Sequence, residues 1–124
     1  MTQILAIALG GSIGAVMRFL MSSGIHHYLG RGFPYGTLLV NVLGSLLMGV
    51  LYELFLQRLS VSVELRSMLL IGILGAFTTF SSFSLETINL IEQGDIIKAC
   101  LNVFLNVILC VFAAWAGLLL IRQI

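Results

Sequence analysis

Apolar residues along the chain fall into four long runs, and short polar clusters separate them. Each run is about twenty residues long, which is the length an α-helix needs to cross a hydrocarbon core of about 30 Å. The predicted crossings are residues 4–23, 37–56, 68–91 and 99–121, and the connecting clusters are HHYLGRGFPYG, QRLSVSVELRS and EQGDIIK. The pattern therefore predicts an all-α membrane protein, with one four-helix transmembrane domain over residues 1–124.

Composition supports this class of protein. Hydrophobic residues make up 60% of the chain and charged residues only 9%, whereas a typical soluble domain is about 25% charged. A net charge of +1 without any basic run argues against a nucleic-acid partner. The first apolar run lacks the basic start of a signal peptide, so we expect it to stay in the protein as a membrane helix.

The basic residues give little preference for one orientation in the membrane. Four crossings place the two termini and the second loop on one side, and the first and third loops on the other. The first side carries Arg58, Arg66 and Arg122, and the second carries Arg31 and Lys98, with Arg18 as a third if it reaches that interface. Because orientation follows the bias of Lys and Arg across the loops, this balance favours insertion both ways round and an antiparallel dimer. One fixed orientation, set by other signals, is the alternative.

Polar side chains occur inside the crossings, where they are costly and are functional candidates by default. The segment GAFTTFSSFSLE, residues 75–86, contains five hydroxyl residues and three phenylalanines at a spacing of three. Asn41 lies inside the second crossing, and Asn102 and Asn106 share one face of the fourth. Two interpretations stay open for these groups. They either hold helices together through hydrogen bonds or line a pathway for a small solute.

The kind of polar group narrows the second interpretation. Amides and hydroxyls donate hydrogen bonds without carrying a fixed charge, and the edge of an aromatic ring is electropositive. Such groups can replace the water around a small anion without trapping it. In the third crossing, Gly75 is followed by the β-branched Thr78 and Thr79, which makes this a candidate break in the helix. The carbonyls freed by a break can coordinate a cation such as Na⁺.

The remaining ionisable residues suggest anchoring more than chemistry. Arg18 fits either an interfacial anchor or an attractor for anions at a vestibule. Glu86 fits either the mouth of a pathway or an ion pair with a basic group. His26 and His27 are adjacent, without cysteines or carboxylates at metal-ligand spacing. No nucleophile and base stand together in a known motif, so we do not expect an enzyme.

Four segments resemble the CrcB/Fluc family of fluoride channels, and together they cover essentially the whole chain. They are GGSIGAVMRF (10–19), YGTLLVNVLGS (35–45), GILGAFTTFSSFSLE (72–86) and LNVFLN (101–106). The resemblance implies a dual-topology homodimer of antiparallel subunits with two fluoride pores and a central structural Na⁺. It further implies a multi-pass protein of the bacterial cell inner membrane, through which fluoride leaves the cytoplasm passively, so that fluoride toxicity falls.

The same resemblance implies roles for individual residues. Gly75 and Thr78 would supply backbone carbonyls to Na⁺, while Phe80 and Phe83 would be the pore phenylalanines. Asn41 would be the pore amide that donates to fluoride. The other implied positions are Arg18 at the vestibule and Thr79, Ser81, Ser82 and Asn106 along the pore. One departure lies in the fourth crossing, where Leu109 and Cys110 stand at positions at which relatives often have glycine and serine.

Two other functions stay open at this point. A small multidrug exporter is also a four-helix dual-topology dimer, but it needs a carboxylate embedded in the membrane to exchange protons. The first crossing has no acid, and Glu86 is the only acid inside the third. A structural or assembly subunit, whose polar residues only hold helices together, would conduct nothing.

Overall fold

A computed structural model describes all 124 residues, which form helices and no strands. The helices make four segments that are long and apolar enough to cross a membrane, so the predicted all-α class with four such segments is confirmed. The helices are α1 (Thr2–Leu29), α2 (Tyr35–Gln57), α3 (residues 63–77), α4 (Phe80–Glu92) and α5 (Ile96–Gln123), with α3 and α4 together forming the third segment.

The helices extend beyond the predicted crossings into the polar clusters. We predicted that the first loop starts at His26, but α1 continues to Leu29, so that prediction is wrong. His26–Leu29 contain neither glycine nor proline, and Gly30 ends the helix with a φ of 78°, a conformation that glycine adopts without a steric cost. The third segment begins at Val63, where the Ser62 hydroxyl accepts a hydrogen bond from the backbone N–H of Leu65 at 3.2 Å.

Helices α1 and α3 approach each other closely through glycine. A Cβ atom added to Gly10 would collide with the carbonyl oxygen of Met68, and one added to Gly14 would collide with that of Ile73. Gly72 on α3 faces the carbonyl oxygen of Ile7 in the same way. Small residues let helices in lipid pack backbone to backbone, and these glycines place α3 firmly against α1.

Helices α2 and α5 form the other close pair. Gly49 packs on the backbone of Ala114, and Gly117 packs on the backbone of α2. Further along α2 than Gly49, the carboxylate of the fully buried Glu53 accepts hydrogen bonds from Arg122 Nε at 2.9 Å and from the Gln57 side chain. A buried charge is tolerated when it is paired and hydrogen-bonded, so this contact joins the ends of α2 and α5.

The third segment changes its backbone geometry along its length. Helix α3 consists of α-helical Val63–Ser67, π-helical Met68–Leu74 and one α-turn, Gly75–Phe77. The next two residues have extended backbone. Thr78 has φ −81° and ψ 158°, and Thr79 has φ −150° and ψ 123°. We call these two residues the interruption, because α3 ends directly before them and α4 begins directly after them.

Gly75, beside the interruption, does not take part in a close helix contact. It is exposed, and the only atom within 4 Å of a Cβ added there is the carbonyl oxygen of Leu70, at 3.7 Å. Within one subunit, Gly75 therefore lies on an open side of α3, unlike Gly72, which packs against α1.

Candidate functional site

The side chain of Asn41 on α2 holds the interruption in place. Its Oδ1 accepts a hydrogen bond from the backbone N–H of Thr79 at 2.8 Å, and its Nδ2 donates to the carbonyl of Thr79 at 3.0 Å. The hydroxyl of Thr79 accepts from the N–H of Ser82 at 3.2 Å and so caps the start of α4. Side chains thus satisfy backbone groups that an unbroken helix would satisfy internally.

From Asn41, hydrogen bonds continue across α5 and back to α4. Asn41 Nδ2 also donates to Asn106 Oδ1 at 3.0 Å. The amide nitrogen of Asn106 donates to the Oδ1 and the backbone oxygen of Asn102, at 3.0 and 2.9 Å. Asn102 Nδ2 donates to the hydroxyl of Thr87 at 2.9 Å, and Thr87 donates to the carbonyl of Phe83 at 2.7 Å. We call Asn41, Asn106, Asn102 and Thr87 the amide chain.

A cavity of about 420 Å³ lies beside the interruption, between α2, α4 and α5. None of the side chains that line it carries a formal charge. Its lining residues are Asn41, Gly44, Ser45, Met48, Thr78, Thr79, Phe80, Phe83, Asn106, Val107, Cys110, Val111 and Ala114. The structure therefore places the side chains of Asn41 and Asn106 and two phenylalanine rings in the wall of the same cavity.

The two phenylalanines of the cavity differ in their surroundings. Their ring centroids are 5.3 Å apart, with the planes inclined at 58°, which is a favourable tilted arrangement of aromatic rings. Phe83 is buried, whereas 77% of Phe80 is exposed. Phe80 therefore presents its ring to the outside of the subunit as well as to the cavity.

Four of the sequence-predicted site residues lie outside this cavity. Ser81 is exposed, with its hydroxyl 3.3 Å from that of Thr79, and Ser82 contributes its backbone N–H to the cap. Arg18 is half-buried on α1, and Gly75 lies on an open face of α3. None of the four lines the cavity.

Ser45 lines the cavity but was missed by the sequence analysis, which named Cys110 only as a departure from relatives. Ser45 lies four residues after Asn41 on α2, and Cys110 lies four residues after Asn106 on α5. Residues at this spacing share a helix face, so the two asparagines themselves carried the signal for these neighbours.

Glu86 makes a different contact from the ion pair that we considered. Its Oε1 accepts a hydrogen bond from the hydroxyl of Thr37 at 2.7 Å, while its buried Oε2 has no partner. The ion pairs in the structure join other residues, Lys98 with Asp95 and Arg122 with Glu53. Glu86 instead lines a second, polar cavity of about 370 Å³, together with His26, Arg31, Pro34, Asn89, Leu90 and Gln93.

The interruption also releases backbone carbonyls. In a continuous helix, the N–H of Thr79 would bond to the carbonyl of Gly75, and that of Ser82 to the carbonyl of Thr78. Both N–H groups donate to side chains here. No group of three or more His, Cys, Asp or Glu side chains could hold a metal ion. The interruption leaves the carbonyl oxygens of Gly75 and Thr78 without their helical N–H partners.

Comparison with known proteins identifies the family. The family model described as "CrcB-like protein, Camphor Resistance (CrcB)" matches residues 5–118. A relative from Magnetococcus marinus is 54% identical over 122 residues, which are 98% of this chain and 99% of the relative. One from Geobacter sulfurreducens is 49% identical over the whole of both chains.

A third relative, from Methylococcus capsulatus, is 52% identical over 98% of this chain, but this chain spans only 54% of its length. All three relatives carry the name "Fluoride-specific ion channel FluC". An ion channel is a transport protein and not an enzyme, in agreement with the sequence-based prediction. The resemblance noted in the sequence is confirmed, and the chain belongs to the CrcB-like family.

Proposed function

We propose that the chain is a fluoride-selective channel that lets fluoride leave the cytoplasm passively. One observation carries the proposal, which is the cavity where the Asn41 and Asn106 amides, the Thr79 hydroxyl and the rings of Phe80 and Phe83 meet without a formal charge. Neutral donors and ring edges attract a small anion but do not hold it as a fixed positive charge would. The names of the relatives supply the identity of the anion.

Passage through this cavity requires the anion to exchange water for protein donors. Both hydrogens of Asn41 Nδ2 are already donated, one to Thr79 and one to Asn106. Fluoride therefore competes with a protein acceptor for the hydrogen that it receives from Asn41. This competition lowers the net gain on binding, since one hydrogen bond replaces another, and it keeps the anion weakly held and mobile.

We further propose that two antiparallel copies make the complete channel, with two pores per dimer. Phe80 is 77% exposed although its ring lines the cavity, so a single subunit leaves that wall open. A second copy seated on this face would close it. The even distribution of basic residues between the two sides of the membrane supports opposite orientations of the two copies.

A structural Na⁺ at the centre of that dimer is part of the proposal. The carbonyls of Gly75 and Thr78 fit the ion, because the interruption removes their helical N–H partners and Gly75 lies on an open face. When bound, Na⁺ would supply a positive charge that the carbonyls of both subunits share. Asn41 and the Thr79 cap keep the backbone in the conformation that leaves these oxygens free.

We place this channel in the inner membrane of a bacterium, with its four segments spanning the bilayer. Hydrogen fluoride crosses membranes as a neutral acid and dissociates in the less acidic cytoplasm. A passive path for the anion lets the trapped fluoride leave, which would give the cell resistance to fluoride.

A structural or assembly subunit is the second candidate, and one observation favours it. Within a single subunit, the amide chain satisfies its donors with protein acceptors, as hydrogen-bonded glue between helices would. Such a protein would use Asn41 and Asn106 for stability alone and would conduct nothing.

Fluoride release from liposomes that contain the purified protein separates the two candidates. A fluoride electrode follows the release, with a Phe80→Ile variant and chloride-loaded liposomes beside the wild type. The channel predicts rapid fluoride release by the wild type, retention of chloride, and loss of fluoride release in the variant. A folded wild-type protein that releases no fluoride would contradict the channel and leave the structural subunit as the better explanation.

A further inference from the structure

We propose that the second cavity is the mouth of the anion pathway on the side of the first and third loops, and that Arg31 attracts fluoride there by offsetting the charge of Glu86. The inference deepens the proposed channel function and rests on it. Arg31 and Glu86 both line this cavity of about 370 Å³. Arg18, the attractor considered from the sequence, lines neither this cavity nor the first one, beside the interruption.

The two cavities lie along one face of α4. Phe83 lines the first cavity, whereas Glu86, Leu90 and Gln93 line the second. These four residues follow one another at spacings of three, four and three, which keeps them on one side of a helix. Glu86 lies about 4.5 Å beyond Phe83 along the helix axis. A path along this face, from the first cavity to the loops, therefore passes Glu86.

The residues of α2 follow the same order. Pro34, directly before α2, lines the second cavity, and Asn41 lines the first. Thr37 lies between them in the sequence, is buried and lines neither cavity. Its hydroxyl donates to Glu86 Oε1 at 2.7 Å. This hydrogen bond therefore lies between the two cavities, and Glu86 stands at the inner end of the second.

The carboxylate of Glu86 is an obstacle to an anion on this path. Its Oε2 is buried without a hydrogen-bond partner, and no basic side chain forms an ion pair with it. An ionised carboxylate repels fluoride, and the repulsion grows as the anion comes closer. Passage of an anion at this point is therefore easier when a positive charge lies in the same cavity.

Arg31 supplies such a charge. Its guanidinium is always protonated, and it takes part in no ion pair. The side chain is exposed, so it stands at the outer end of the cavity, whereas Glu86 is half-buried. The other fixed positive charge on this side, Lys98, lies 4.0 Å from the carboxylate of Asp95 and does not line the cavity. The charge of Arg31 thus remains free to act on an entering anion.

Substitutions at both residues test the offset of charge. Arg31→Gln removes the positive charge, and Arg31→Lys keeps it. Glu86→Gln removes the negative charge but keeps an oxygen that can accept from Thr37, and the double variant has neither charge. Arg58→Gln is the matched control, because Arg58 also takes part in no ion pair but lies in the second loop and lines neither cavity.

The initial rate of fluoride release from liposomes is measured at subsaturating fluoride. One pH is used throughout, so that His26, the third titratable residue of the cavity, keeps the same charge. Potassium gluconate sets the ionic strength at about 10 mM or about 1 M, at which charges are screened over about 30 Å and about 3 Å.

At low ionic strength, Arg31→Gln should lower the rate about threefold, the effect of one unit charge about 6 Å from the anion in water. Arg31→Lys and Arg58→Gln should keep the wild-type rate, and Glu86→Gln should release fluoride at least as fast as the wild type. The double variant should return close to the wild-type rate, because its cavity again has no net fixed charge. At about 1 M, Arg31→Gln should match the wild type, since salt screens the charges.

A wild-type rate of Arg31→Gln at low ionic strength would overturn the proposal. A loss that persists at high ionic strength would also overturn it, because its cause would be structural and not electrostatic. A double variant as slow as Arg31→Gln would show that Glu86 is not the charge that Arg31 offsets. Failure of the proposed function looks different, since the wild type itself would then release no fluoride at either ionic strength.

Discussion

Asn41 has two tasks in the structure. Its amide replaces the helical partners of Thr79, and the same nitrogen donates to Asn106 at the wall of the cavity. The residue that maintains the interrupted backbone is therefore also the residue that faces the proposed anion. Substitution of Asn41 should disturb folding and transport together.

Replacement of Asn41 by leucine should leave both backbone groups of Thr79 without partners. Each unsatisfied buried group costs about 1–3 kcal/mol, so we expect a clear loss of unfolding free energy, measured from thermal unfolding in detergent. Ser45→Ala is the control, because Ser45 lines the same cavity but makes no bond to the interruption. An Asn41→Leu protein as stable as the control would show that the bonds to Thr79 contribute little.

Phe80 and Phe83 illustrate how neighbouring aromatic residues take different roles. Phe83 is buried against its own subunit, while Phe80 is largely exposed. Burial of an aromatic ring contributes substantially to stability, so Phe83 belongs to the packing as well as to the cavity. Phe80 is the better residue for a transport test, because its change disturbs the fold of the subunit least.

At the scale of elements, the third segment owes its position to its contact with α1. The π-helical Met68–Leu74 stretch lies directly against Gly10 and Gly14. π-helical turns are rare and are frequently found near functional sites. Here the stretch ends at the α-turn before the interruption, so the contact with α1 determines where the extended residues stand relative to α2.

Two glycines of α1 allow this contact to be tested. Gly14→Ala would place a methyl group against the carbonyl of Ile73, and we expect a loss of about 1–3 kcal/mol in unfolding free energy from overpacking. Gly11→Ala, on the same helix, meets nothing within 4 Å, and should be neutral or stabilising by up to about 1 kcal/mol through helix propensity.

The comparison is made by thermal unfolding of both variants in detergent. Equal stability of the two alanine variants would argue that α1 and α3 separate more readily than the structure indicates, and that α1 does not determine the position of the interruption.

At the scale of the whole molecule, the distribution of charge bears on assembly. Arg122 is already paired with the buried Glu53, whereas Arg58 and Arg66 on the same side take part in no ion pair. The three basic residues on each side leave the orientation without a strong bias. A few added charges should therefore decide the orientation, and a dimer of opposite subunits should be sensitive to them.

Two oppositely biased variants test the antiparallel dimer. Ser60→Lys with Val61→Lys adds charge to the second loop, and Gly32→Lys with Gln93→Lys adds it to the other side. Each variant alone should insert one way round and lose most of the fluoride release from cells, whereas expression of both together should restore it. Full release by either variant alone, with one orientation shown by a C-terminal reporter, would contradict the antiparallel dimer.

The sequence alone determined the class of protein, the four membrane segments and the family. These conclusions depend on local properties, namely runs of apolar residues and motifs such as GAFTTFSSFSLE. Lipid penalises each polar group individually, so a polar residue such as Asn41 stands out without knowledge of its neighbours. The same reasoning marked Asn102 and Asn106 as one helix face.

Only the tertiary structure decided which polar groups meet. Ser81 and Ser82 lie outside the cavity, while Ser45 and Cys110 line it, because adjacent residues on a helix point about 100° apart. The rotation of each helix depends on close packing such as that of Gly14 on Ile73, which no local pattern specifies. The amide chain from Asn41 to Thr87 likewise joins α2, α5 and α4, so it forms only when three helices are in register.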